Sequence, residues 1–317
     1  MLVMASRSFE WTFIKRPLRK FEWPEGQDTP VERPLSVANV LLDALDLFFN
    51  QRGIGWSWSS RPFPTKTHHP PSITSVLAKT LLKFTVYDTS QYVLYLMSPS
   101  IDKIGSGSLF DANFPLLHRT VLVLLATFFL GLWTYTQLDL TYHVAMLIGR
   151  IILRQPASHW PPFFHRPWMA TSMRSFWGVH WHQFFRHFFI VVGARPGGVL
   201  LGRPGAVMGA FAVSGLMHVV CLWATGCVTR LSYHGGFYLL MGVGLILESK
   251  FERATGSPVR GFFGWLWAMA WMLSWGSCFL NSRARSGIFA VEYFPDHLRP
   301  GKFLINGAIS LFSRCKW

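Results

Sequence analysis

The chain has 317 residues, half of them hydrophobic and only 14% charged, with 15 tryptophans and 28 phenylalanines. Soluble domains carry nearer a quarter charged residues, so this balance excludes an ordinary cytosolic globule and points to a membrane. A formal net charge of +15 would suit nucleic acid. The basic residues, however, are interleaved with apolar segments and no nucleic-acid motif is present, so no such partner is expected.

Residues 1–75 are polar, proline-punctuated and aromatic, and are read as an N-terminal interfacial region ahead of a membrane domain, 76–317. They lack the apolar core of a cleavable signal peptide, so targeting is expected to rely on an internal span. Within them an apolar run, Val40 to Phe49, leads into Arg52–Trp58 (RGIGWSW). Its glycines suit a tight turn and its tryptophans a membrane interface, which leaves a helix stop with aromatic anchors and a binding role equally open. Leu77 to Met97 is apolar but interrupted by Lys79, Lys83 and Asp88. That pattern fits a helix on the interface or packed inside a bundle.

Three uncharged stretches, Thr120–Leu138, Ala206–Val228 and Gly261–Leu280, are long enough to cross the hydrocarbon core. Leu140–Ile152, Gly235–Leu247 and Phe303–Phe312 are shorter, either tilted spans extended by their flanks or helices buried in a bundle. The expected fold is all-α, a polytopic transmembrane bundle of about five to seven membrane helices with further interfacial ones. Basic residues beside spans mark cytoplasmic loops, which places the arginine-rich linker Gly149–Arg203 at the cytosolic face. The four cysteines (Cys221, Cys227, Cys278, Cys315) show neither metal-like spacing nor the density of a disulfide scaffold.

His218 lies inside Ala206–Val228. An ionisable side chain at that depth is costly and faces a protein interior or a wet cavity. From Leu140 to Leu247 there is no aspartate or glutamate, while arginines and histidines crowd the same window. This excludes a local Ser-His-Asp triad and carboxylate-held magnesium or calcium. What remains is histidine chemistry in an arginine-rich setting, suited to a polyanionic substrate.

Upstream, Pro156 to Pro167 (PASHWPPFFHRP) must end the preceding helix. The run Ser172–Arg186 (SMRSFWGVHWHQFFR) then reads as a short helix. Trp177 and Trp181 are four apart, as are His182 and Arg186, so each pair shares a face, with Arg174 on the tryptophan side. Taken alone, this run reads better as an interfacial aromatic helix with snorkelling arginines. Ser214, four before His218, is within hydrogen-bonding reach along its helix, where simple satisfaction of polar groups is the plainer alternative.

The pieces Pro162-Phe-Phe, Thr171-Ser-Met-Arg-Ser-Phe-Trp, Trp181-His182-Gln183 and Arg186, followed by Phe211-Ala-Val-Ser-Gly-Leu-Met-His218, together resemble the wax-synthase branch of the membrane-bound O-acyltransferases. The likeness runs from Val40 to Leu280, and RGIGWSW is similar to a segment found upstream in fungal members. The resemblance implies acyl transfer from acyl-CoA to a hydroxyl, with His218 at the catalytic histidine and His182 at the second active-site position. Fungal proteins of this kind are commonly acetyltransferases acting on terpenoid or polyketide-terpenoid metabolites. Acetyl-CoA as co-substrate, a hydrophobic alcohol as acceptor, surrounding membrane lipid and a multi-pass endoplasmic-reticulum location follow from it. No metal and no permanently bound cofactor are expected. The chain departs from the branch in being shorter than typical members, and in having Ser175 where an acidic residue is frequent.

The residues support the same chemistry. A buried neutral imidazole suits a general base, His218, with His182 positioning it or donating to the thioester oxyanion. Arg174, Arg186 and Arg166 would face CoA phosphates at the cytosolic mouth, with Trp177, Trp181, Gln183 and Ser214 lining the substrate site. A wax-ester synthase using long-chain acyl-CoA and a fatty alcohol is the alternative within the branch. Outside it stand a di-iron oxygenase built on His182, His187 and His68-His69, a transporter with His218 as a polar gate, and an inactive homologue.

Overall fold

The computed structural model describes residues 17–22, 31–58, 71–97, 115–224, 226, 231–285, 288–289 and 291–314, together with Ser8 and Thr12. The fold is mostly helical, as expected, with one small addition: β1 (Phe21–Glu22) pairs antiparallel with β2 (Val31–Glu32), Phe21 opposite Glu32. Helix α1 (Val37–Phe49) follows, its N-terminus capped by the Ser36 hydroxyl on the Asn39 N–H. Its carboxylates turn inward, Asp46 onto Lys20 and the Trp56 indole, Asp43 onto Arg33, while Leu41, Leu45 and Phe49 are exposed. A helix that pairs its charges inward and shows leucines outward is built for an apolar surround.

Helices α2 (Ile73–Leu96) and α3 (Leu116–Ile151) pack along one another. The 36 residues of α3 join the expected span Thr120–Leu138 to Leu140–Ile152 without a break. Asp139, which separates the two stretches in sequence, is held by Lys83 of α2 and by His143 one turn on, so the helix continues through it. At about 1.5 Å per residue α3 is roughly 54 Å long and extends beyond a hydrocarbon core of about 30 Å. Of the two settings open to Leu77–Met97, the structure gives packing inside the bundle. Asp88 of α2 is fully buried, and its carboxylate takes Arg299 Nε at 2.9 Å and the backbone N–H groups of Gly301 (2.8 Å) and Lys302 (3.2 Å). It thereby caps the positive end of the last helix, α8 (Pro300–Arg314), from 211 residues away in the chain.

The 39-residue segment Arg186–Ala224 is long and apolar enough to cross a membrane, but the chain reverses within it. Leu201 (φ −133°) and Gly202 (φ 64°) leave helical geometry, and a Cβ placed on Gly197 would lie 2.2 Å from the Gly205 carbonyl oxygen. In one continuous helix those residues would be about 12 Å apart. Residues 186–200 (α4) and 203–224 (α5) are therefore the two arms of an antiparallel hairpin. Gly193 and Gly197 on one arm meet Gly209 and Gly205 on the other. Both pairs have GxxxG spacing, which lets helix backbones touch where lipid offers no hydrophobic drive for association. The stretch expected as a linker through Arg203 thus includes the whole first arm of the hairpin, residues 186–200. Gly205→Leu should separate the arms and destabilise the fold by about 1–3 kcal/mol or more. Thermal unfolding in detergent reads this directly, and an unchanged midpoint would contradict the hairpin.

Helix α6 (Leu231–Thr255) contains Gly235–Leu247, and α7 (Gly261–Arg285) contains the third expected span. Among the described residues only Leu116–Ile151 and Arg186–Ala224 are both long and apolar enough to cross a membrane. Helix α7 falls short because its four tryptophans and three glycines lower its mean hydropathy. Two of those indoles bond to α6, Trp271 Nε1 to the Leu240 carbonyl and Trp267 Nε1 to Glu248. The expected second span is helical to Ala224, and residues 225, 227 and 228 lie outside the described residues, as do Cys227, Cys315 and His68-His69. The core gathers Tyr87, Trp133, Tyr238, Phe279 and Phe289 from across the bundle, with a second cluster around Met173, Met241 and Ala268.

Candidate active site

The RGIGWSW turn follows α1, with Gly53 (φ 66°) and Gly55 (φ 77°) in the left-handed region that glycine enters without strain. It brings Arg52 to the proline-rich segment, where its guanidinium donates to the carbonyls of Pro161 (3.1 Å) and Pro162 (3.2 Å). The Tyr142 hydroxyl donates to Pro161 as well, at 2.6 Å. Phe163 and Phe164, fixed in this way, enclose His182: Phe163 stacks on the imidazole (5.3 Å, 18°) and Phe164 meets it edge-on at 5.8 Å. RGIGWSW is therefore a clamp on the segment that orients His182. Arg52→Ala should free the proline-rich segment and speed its proteolysis in detergent; an unchanged cleavage pattern would remove the clamp from the account.

Ser172–Arg186 is not one helix. A turn at Met173–Ser175 widens into a π-helix, Phe176–His180, and Trp181 is extended (ψ 158°) before helix resumes at Arg186. Side chains take the carbonyls that a continuing helix would use. Gln183 Nε2 donates to Trp177 (3.0 Å) and Trp181 (2.7 Å), and Arg186 Nη1 to Gly178 and to the Gln183 side chain, each at 2.9 Å. His182 and Arg186 thus share no helical face, while the Trp177 and Trp181 rings still meet edge-to-face at 6.0 Å. Arg186 is engaged in holding this turn. Single-turn π-bulges of this kind concentrate at functional sites.

The N-terminus of the turn carries a capping box, Ser175 N–H to Ser172 Oγ (2.9 Å) and Ser172 N–H to Ser175 Oγ (3.1 Å). Glu248, buried on α6, accepts from the backbone N–H groups of Met173 and Arg174 and from the Trp267 indole at 3.0 Å. An acidic group is thus present where Ser175 is not one, supplied through space from a residue just beyond the acid-free window. Glu248→Ala would strand three donors, at about 1–3 kcal/mol for each that stays buried, and thermal unfolding in detergent reads the loss.

His218 Nδ1 lies 2.7 Å from the Ser214 carbonyl. A carbonyl only accepts, so Nδ1 carries the proton and Nε2 keeps its lone pair. Ser214 thus orients His218 through its backbone, not through the hydroxyl considered from sequence. The Tyr238 ring stacks on the imidazole (4.5 Å, 26°) and fixes its plane.

A cavity of about 720 Å3 runs between α3, α5, α6, α7 and the π-helical turn. Its wall includes all eight expected site residues: Arg174, Trp177, Trp181, His182, Gln183, Arg186, Ser214 and His218. Arg166 is exposed and does not line it. Two wall groups, Trp177 Nε1 and His182 Nδ1, are buried without a hydrogen-bond partner among the described residues. Buried polar groups are rarely left so, which makes both available to a ligand. Arg174, more than half exposed, is held by Glu252 (2.9 Å) and by Ser249 Oγ (3.1 Å). Arg283 of α7 also lines the cavity and was not anticipated. Among the described residues no three His, Cys, Asp or Glu side chains are arranged to hold a metal ion, and the His187 ring lies tilted (58°) against Trp58 at 4.9 Å.

Residues 160–240 match the family model of the membrane bound O-acyl transferase family. That stretch holds the proline-rich segment, the π-helical turn, the glycine hairpin and His218. Over that stretch the chain is similar to the membrane-bound O-acyltransferases. It is 32% identical over 124 residues to acetyltransferase spyB of Aspergillus fumigatus, covering 37% of this chain and 21% of that protein. To the O-Mevalon transferase macI of Penicillium terrestre it is 25% identical over 280 residues, 81% of this chain and 64% of the relative. To a long-chain-alcohol O-fatty-acyltransferase of Simmondsia chinensis it is 31% identical over 107 residues, 31% of this chain and 30% of the relative. The chain therefore spans less than two-thirds of the length of each.

Proposed function

We propose that this chain is a membrane-bound O-acyltransferase that transfers an acetyl group from acetyl-CoA to a hydroxyl of a hydrophobic secondary metabolite, a terpenoid or meroterpenoid. The observation that carries this reading is the pairing of His218, its Nδ1 consumed and its Nε2 lone pair free, with two unpartnered buried nitrogens on the same cavity wall. The acceptor hydroxyl donates to His218 Nε2 and loses its proton as its oxygen attacks the thioester carbonyl carbon. Trp177 Nε1–H and His182 Nδ1 face the oxygen on which charge develops. When the tetrahedral intermediate collapses, the C–S bond breaks and the imidazolium returns the proton to the departing thiolate. No covalent acyl-enzyme is required. Base catalysis of this kind is worth about 10²–10⁴ in rate, and orientation within a dry cavity adds to it.

Arg174 stands at the cavity mouth beside Glu252, placed to exchange that partner for a CoA phosphate. In this reading the mouth is cytosolic, and the chain is a multi-pass endoplasmic-reticulum protein of about five to seven membrane helices. Residues 1–75 form the interfacial region and 76–317 the catalytic domain. Arg174→Ala should raise KM for acetyl-CoA about tenfold with kcat within twofold, the pattern of lost ground-state binding. An effect confined to the alcohol would contradict the phosphate role. The general test is transfer of radiolabelled acetyl from acetyl-CoA to a hydroxylated terpenoid by microsomes expressing the chain. No transfer above empty-vector microsomes with any acyl-CoA and alcohol pair would refute the reading.

A further inference from the structure

We infer that the cavity is single-ended, with His218 at its closed end, so that acyl-CoA and the acceptor lie side by side across a wide section bordered by Gly131. The inference rests on the acyltransferase reading and narrows its acceptor class to an elongated apolar alcohol with its hydroxyl at one tip.

On α5 the wall runs through Ala206, Ala210, Ser214 and His218, and among the described residues nothing beyond His218 on that helix lines it. On α6 the wall starts at Phe237, and Tyr238 stacks on His218. Phe279 of α7 fills the space behind, 5.1 Å from Phe237, 6.2 Å from Tyr238 and 4.4 Å from His234. From His218 the cavity therefore extends one way, toward the hairpin tip at Gly202. Arg174 marks that way out. Gly215 lies against Gly235 and Tyr238, and Gly242 against Met208 and Phe211, so α5 and α6 run antiparallel. Glu252, which holds Arg174, is ten residues past Gly242 and so level with the tip or beyond it.

Ala206 to His218 is twelve residues, a rise of about 18 Å. One extended chain, about 4.8 Å across as in neighbouring strands, fills about 330 Å3 over that length. The cavity, at about 720 Å3, holds two. Its widest level is also set by the sequence. Gly193 opposes Gly209, which puts Ala194 of α4 level with Ala206 and Ala210 of α5. Trp271 lies against Gly244, and Gly276 against Thr127 of α3, so Gly131, one turn on from Thr127, comes to the same level. All four small residues line the cavity, and a Cβ on Gly131 would meet no atom within 4 Å. The Trp177 ring meets Phe211 here at 5.7 Å, its buried Nε1 without a hydrogen-bond partner among the described residues. Such a donor on an apolar wall points to a ligand. With the base at the closed end, only a terminal hydroxyl reaches it while the body of the alcohol shares the wide section with the pantetheine arm.

The experiment uses the full chain in microsomes with acetyl-CoA and three alcohols: hexadecan-1-ol, its isomer hexadecan-8-ol, and a tricyclic diterpene bearing a primary hydroxyl. Wild type should show kcat/KM at least about tenfold higher for the terminal isomer than for the mid-chain one; equal values would overturn the closed end. Gly131→Leu puts a better helix former on α3, so the helix is kept. It should lower kcat/KM for the tricyclic alcohol about tenfold more than for hexadecan-1-ol, and an unchanged ratio would remove Gly131 from the wide section. A second measurement needs no turnover. A diazirine-bearing hexadecan-1-ol should photolabel the α3 peptide around Gly131, and should still do so with a non-hydrolysable acetyl-CoA analogue bound. Label that the analogue displaces, that falls only on residues beyond His218, or that is absent would overturn the shared cavity. Persistent label without transfer to any alcohol would instead refute the acyltransferase reading and leave the shared cavity standing.

Discussion

His218→Gln, which keeps a side chain of similar reach but removes the proton acceptor, should lower acyl transfer by about two to four powers of ten. The loss should fall equally on kcat and kcat/KM, because the interaction removed is made only as the hydroxyl attacks. Protein abundance should stay near wild type, since the backbone hydrogen bond from Nδ1 to Ser214 contributes only about 1 kcal/mol to the fold. A variant turning over at the wild-type rate would end the assignment of His218 as base. A variant that instead raised KM alone would move His218 to substrate binding.

Asp88→Ala is expected to have the largest effect on stability. It takes from buried Arg299 the nearer of its two carboxylates, leaving only the exposed Glu292 at 3.0 Å, and uncaps the first turn of α8 at Gly301 and Lys302. Breaking a buried ion pair from one side costs about 3–5 kcal/mol, more than most single changes. The variant should therefore lose its monodisperse elution peak in detergent or unfold well below wild type. Asp88→Leu combined with Arg299→Leu should recover part of the loss, because no isolated charge then remains. A wild-type melting point for Asp88→Ala would show that α2 and α8 are not held together through this carboxylate.

How much could be read from the sequence depended on whether the information was local. That His218, His182 and the residues around them come together was legible from side-chain type and spacing, and all eight expected residues line one cavity. The turn between them was not. Helical spacing from Ser172 to Arg186 predicts one helix, but Gln183 and Arg186 bond back to carbonyls of Trp177, Trp181 and Gly178 and break it. The same residues were therefore assigned to ligands when part of their work is structural.

Glu248 was missed because a window along the chain cannot see that α6 returns beside the Ser172 turn. The acid-free stretch that removed a carboxylate from consideration stops one residue before it. Asp88 was noticed only as an interruption of an apolar run, since its partner lies 211 residues away. The reversal at Gly202 did have a signal, the two GxxxG pairs 193/197 and 205/209, which mark close helix approach in apolar sequence. Arg283 had none: it lies just past an apolar stretch and reads as a flanking charge until α7 is placed beside His218.

The most direct measurement is a structure of the chain in a lipid nanodisc with a non-hydrolysable acetyl-CoA analogue and an alcohol acceptor. The account predicts the hydroxyl oxygen within about 2.6–3.2 Å of His218 Nε2 and the CoA phosphates at the Arg174 end. An imidazole turned toward lipid, or an acceptor bound in the cavity with its hydroxyl away from that nitrogen, would contradict it.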